Sequence, residues 1–150
     1  MPVTSVTEIL LHAERFEDVL AEYYRELCRE TPHEGVQLLT DYMSRHRKRL
    51  RTELEKLDPE ELRRICAMPV HYQPEAADGR CLTGVTLSSE ATAAEVLDAA
   101  VTFDQCLVKL YRQAAQQAGD GRVRELFESL IRSEERDEVE LKKIKAMNYF

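Results

Sequence analysis

Apolar residues recur at intervals of three and four along four long stretches of the chain. In the first, Val6, Ile9, Ala13, Phe16, Leu20, Tyr24 and Leu27 share one helical face. Ser5 or Thr4 is placed to cap it. The stretch "ETPHE" interrupts the pattern, with Thr31 as a candidate N-cap and Pro32 suited to the first turn of the next helix. Val36, Leu39, Met43, His46, Leu50 and Leu57 then predict a second long helix. "LDPEEL" opens a short third piece, with Asp58 as cap and Pro59 at the first helical position.

The pattern fails between Met68 and Ser88, a stretch rich in Pro and Gly that reads as extended loop. It resumes after "TAAE", Thr92 to Glu95, which has capping-box spacing. Val96, Ala100, Phe103, Leu107, Leu110 and Ala114 predict a third long helix. "AGDG" stops it, and Val123, Leu126, Leu130, Asp137, Leu141 and Ile144 mark a fourth. The expected architecture is all-α: a single four-helix bundle domain over residues 1–150. Its parts are a hairpin over 5–57, a crossover over 58–88 and a hairpin over 89–147. A helix of 25 residues is about 37 Å long, and a connection of this length is able to return along it.

The two hairpins align without a gap at an offset of 87 positions (104 − 17, Glu17 onto Asp104). Phe16 then meets Phe103, Leu20 meets Leu107, Tyr24 meets Tyr111, Val36 meets Val123 and Leu39 meets Leu126. A continuous register over two helices and a turn points to a duplicated hairpin.

Charge sharpens the picture. The chain carries 28 acidic and 21 basic residues, a formal net charge of −7. Yet "RHRKRLR", Arg45 to Arg51, is almost wholly basic. At the same offset it aligns with "RSEERDE", so Arg47 meets Glu134 and Leu50 meets Asp137. Glu134 and Asp137 are spaced i, i+3 on one helix face. Asp104 lies seven residues before Tyr111, as Glu17 lies seven before Tyr24. All four acids fall on or beside apolar seams, where a carboxylate is costly unless paired or bound to a cation.

These motifs resemble the ferritin-like superfamily, most closely its rubrerythrin-type bundle. Its pattern in each hairpin is a Glu, a Tyr seven residues on, and Glu-x-x-His on the next helix, and the two hairpins cage a pair of iron or manganese ions. The matching stretches are "EDVLAEYY", "DQCLVKLY" and "EERD". The departures are decisive for chemistry. Arg47 and Leu50 stand where the resemblance implies Glu-x-x-His in the second helix, and Asp137 stands where it implies the second His. A six-ligand di-metal site cannot be assembled.

Three arrangements remain open for these residues. In the first, the Arg47 guanidinium takes the cation's place among Glu17, Asp104 and Glu134, while Arg45, Lys48, Arg49 and Arg51 face outward. In the second, Arg47 and the acids are ordinary surface charges. In the third, Glu17, Asp104, Glu134 and Asp137 hold one divalent metal, Fe or Mn, through oxygen ligands, and the resemblance implies oxygen or peroxide chemistry. Tyr24, Tyr111 and His46 would then lie beside the site, although Tyr at a seam also packs simply as an aromatic and a lone His is commonly interior. The leading expectation is a bundle with a lost or altered di-metal site and a non-catalytic or interaction role. A non-heme oxidase- or peroxidase-like protein is the alternative.

Other partners are weakly signalled. Nucleic acid is disfavoured by the acidic balance and by the lack of aromatics among the basic residues. The first twenty residues lack a basic segment before an apolar run, so no signal peptide is expected. No apolar run approaches the roughly 18 residues of a membrane span, and a cytoplasmic protein is expected. The resemblance implies a homo-oligomer such as a dimer. Cys28 and Cys106 fall in apolar helical patterns and are expected as buried thiols. His12 and His33 are expected at the surface. "MPVHYQP", Met68 to Pro74, suits crossover packing or a partner-binding loop. No phosphate loop or nucleophile–base arrangement stands out.

Overall fold

The computed structural model describes residues 4–46, 48–70 and 87–147, and they are overwhelmingly helical. In chain order the elements are β1 (Thr4–Ser5), α1 (Val6–Glu30), α2 (Glu34–His46), α3 (Leu50–Glu55), α4 (Pro59–Cys66), β2 (Pro69–Val70), α5 (Ala93–Gln116) and α6 (Gly121–Met147). None of the described helices is long and apolar enough to cross a membrane.

The helix ends follow local chemistry. The Ser5 hydroxyl accepts the Glu8 amide at the start of α1 (3.2 Å). Asp58 caps α4, with Pro59 in its first turn. Thr92 and Glu95 complete a reciprocal capping box on α5. Thr31 acts differently from expectation. Its backbone amide closes α1 by donating to the Leu27 carbonyl, and α2 begins only at Glu34. Pro32 therefore lies in the turn rather than in the helix.

Short turns fold α2 back on α1 and α6 back on α5, and the two pairs meet through α2 with α5 and α3 with α6. Their apolar faces form one core. Positions related by the offset of 87 share its interior: Phe16 and Phe103, Leu20 and Leu107, Tyr24 and Tyr111, Val36 and Val123, Leu39 and Leu126 are all buried. Tyr23 of α1 reaches across to Phe103 of α5 edge to face, with ring centroids 5.6 Å apart. Burial pushes the Tyr23 hydroxyl up from its ordinary value, against the opposing pull of the Leu87 backbone.

Two expectations change here. The second helix does not run unbroken to Leu57: it stops at His46 and restarts at Leu50. The first part of the crossover is also ordered. Residues Pro69–Val70 pair antiparallel with Thr4–Ser5, and the Val6 amide donates to the Met68 carbonyl (3.0 Å). The Thr7 hydroxyl donates to the Cys66 carbonyl (2.9 Å), and Val70 enters the core. This segment thus returns to the start of α1. His71 to Pro74 lie outside the described residues.

The cysteines differ as well. Cys28 and Cys66 are half-buried free thiols, whereas Cys106 is disulfide-bonded rather than a buried thiol. Cys81 is outside the described residues. His12 is half-buried and His33 exposed; the latter pairs with Glu90 at 3.3 Å.

Truncating the residue that joins α1 to α5 tests this packing. Phe103→Ala should cost about 3–5 kcal/mol in urea denaturation, since the ring is fully buried between two helices.

Candidate functional site

The site begins with Glu17, which sits on the inner face of α1 at 2 % exposure. A buried carboxylate requires donors, and these come from the gap between α2 and α3. The Arg49 amide donates to Glu17 Oε2 (3.1 Å), and the Leu50 amide donates to both carboxylate oxygens (3.3 Å each). Arg49 is the N-cap residue of α3 and has no side-chain acceptor of its own there. Glu17 therefore caps α3 from another helix, satisfying amides that a continuous helix would have used internally. This accounts for the interruption without Gly or Pro.

The interruption also turns Arg49 inward. Its Nη2 stands 2.7 Å from Glu134, 3.2 Å from Asp137 and 3.5 Å from Asp104. The Arg49 side chain is only 20 % exposed, and Asp104 and Glu134 are almost fully buried. Nη1 donates to the His46 carbonyl at 3.5 Å, tying the fork to the end of α2. One guanidinium thus gathers carboxylates from both α5 and α6. The expected outward position of Arg49 is overturned. Helical periodicity placed it outside, but periodicity does not carry across non-helical residues. Arg47, expected to fill this role, lies outside the described residues.

The other expected site residues divide. Glu17, Asp104, Glu134 and Asp137 are brought together around Arg49. Tyr24 and Tyr111 are fully buried, and Tyr111 stacks on Phe127 at 6.1 Å. The His46 ring is exposed and lies against Tyr42 at 4.4 Å, and its carbonyl is what meets Arg49. Glu53 lies beside the cluster and was missed by sequence reasoning. It accepts from the Ser133 hydroxyl (3.3 Å), beside Glu134, and pairs with Lys56 (2.9 Å) and Arg136 (3.7 Å). Its position near α6, aligned with Glu140 at the repeat offset, was the available signal.

The rest of the basic run is neutralised outside. Arg45 pairs with Asp41 (2.8 Å), Lys48 with Asp18 (2.8 Å) and Arg51 with Glu14 (3.4 Å). These three do face outward as expected, and each carries its own acid. A stripe of uncommitted cations for phosphates is not formed by them.

A metal fits this cluster poorly. The point on which Asp104, Glu134 and Asp137 converge is taken by the Arg49 Nη2, which carries a charge of the same sign as a metal ion. Among the described residues, no three His, Cys, Asp or Glu side chains are disposed to hold one. No family model, curated protein or solved structure matches the chain.

Removing the guanidinium leaves three carboxylates facing one another. Arg49→Ala should lower stability by about 3–5 kcal/mol. Lys56→Ala, which breaks an exposed pair, should change it by no more than about 1 kcal/mol. Parallel urea titrations compare the two.

Proposed function

We propose that this chain is a ferritin-like four-helix bundle of two duplicated hairpins, with an arginine–carboxylate network where the resemblance implies a di-metal site. Its role is then non-catalytic: a homodimeric bundle that works through its surface on a protein partner. The observation that carries this reading is the contact of Arg49 Nη2 with acids of both α5 and α6 at 2.7–3.5 Å. Arg suits the place because its planar fork bonds several carboxylates and keeps its charge in a buried setting.

The paired burial of positions offset by 87 residues supports the duplicated bundle. So do the two short-turned helix pairs. Catalysis of the family type requires a metal with open positions for oxygen, and here a side chain stands at the centre of the acids. The described residues of the cluster supply binding and countercharge.

One feature favours a second reading. Three carboxylates meet the Arg49 guanidinium and a fourth, Glu17, meets its backbone amide, and oxygen ligands of this kind also suit a hard divalent ion. A divalent ion beside Arg49, held by Glu17, Asp104, Glu134 or Asp137, is the metal-binding alternative.

Elemental analysis after reloading with Fe²⁺ or Mn²⁺ separates the two. The network reading predicts background metal in the unaltered protein. It also predicts that Arg49→Ala gains a melting temperature that rises with Mn²⁺ concentration, because the vacated acids then bind the ion. About one metal per chain in the unaltered protein, lost in Glu134→Ala, would overturn it.

A further inference from the structure

Helix α6 and the segment running from α3 into α4 line a half-open pocket of about 250 Å³ whose lining includes none of Glu17, Arg49, Asp104, Glu134 or Asp137. Its apolar wall is Leu57 and Ile65 on one side and Leu126 and Leu130 on the other. Most of its charged groups are already committed. Arg122 lies 3.4 Å from Asp120 and 3.9 Å from Glu61, and Glu53 is held by Lys56, Arg136 and Ser133.

Two lining charges have no ion pair among the described residues, and they are of opposite sign: Glu125 and Arg132. They lie two turns apart on one face of α6, with Ser129 between them. Their backbones are about 10 Å apart along the axis. Both side chains are long enough to lean toward a common point.

We propose that this cavity binds a free aliphatic α-amino acid of about leucine size. Its ammonium would pair with Glu125, its carboxylate with the Arg132 fork, and its side chain would lie on the leucine and isoleucine wall. The size argues for a small ligand, since pockets for drug-sized molecules run from about 300 to 1,000 Å³. The wall selects an apolar side chain by the area it removes from water. The opposed free charges select a zwitterion: a simple carboxylate leaves Glu125 facing it uncompensated, and a simple amine does the same to Arg132. A planar guanidinium bonds a carboxylate through two parallel donors, which a lone lysine would not.

The test is isothermal titration of L-leucine into the full chain, with Arg132→Gln and Glu125→Gln alongside. Both residues are exposed, so the variants should keep the parent's circular dichroism spectrum. The expected result is a Kd of about 0.1–1 mM. Each variant should weaken it about tenfold or more, the loss of one charge-assisted contact. 4-Methylpentanoate and 3-methylbutylamine, each lacking one charge, should bind the parent at least about tenfold more weakly than leucine. No saturable heat with leucine up to about 10 mM would overturn the proposal. So would binding that both variants leave unchanged.

Discussion

The arrangement depends on how a buried negative charge is satisfied. Glu17 is held inside the helical core, and ionised carboxylates are tolerated there only with donors or a countercharge. The chain supplies backbone donors by ending α2 early and opening α3 against Glu17. Once the helix is interrupted, Arg49 no longer follows the outward face of its neighbours. It enters between the hairpins and supplies the countercharge for Asp104, Glu134 and Asp137. A backbone interruption and an internal cation are thus two halves of one solution.

This places polar specificity inside an otherwise apolar core. Leu, Phe and Tyr packing brings the helices together, but apolar contacts are tolerant of sliding and rotation. A fork that must meet acids on α5 and α6 while its own backbone meets Glu17 on α1 accepts few alternatives. Buried ion pairs often add little net stability compared with an apolar replacement, and fixing one arrangement is their best-supported use. In this chain the bonds cross between the two helix pairs, as do those of Glu53 with Ser133 and Arg136, and they hold a register that apolar packing leaves loose.

Much of the fold was legible in the sequence. The four apolar faces, the caps at Ser5, Asp58 and Thr92, and the turn near Gly119 all follow from local chemistry. Glu17, Asp104, Glu134 and Asp137 were legible too, because acids on apolar seams demand partners. The inward place of Arg49 was not legible. Its outward placing assumed a continuous helix through "RHRKRLR", and nothing local in those residues breaks it. The break comes from Glu17, about thirty residues earlier in the chain, which competes for the Arg49 and Leu50 amides. Tertiary hydrogen bonds of this kind leave no mark in a hydropathy pattern. The ordering of Pro69–Val70 against Thr4–Ser5 was hidden for the same reason. Neither two-residue strand carries enough alternation to be seen.

The most direct test is a double-mutant cycle on Arg49 and Glu134, using Arg49→Met, Glu134→Gln and the double variant in urea denaturation. The account predicts a coupling energy of about 1.5 kcal/mol or more, as for neighbours in one buried network. A coupling below about 0.5 kcal/mol, the additive behaviour of independent sites, would contradict an arginine-centred core.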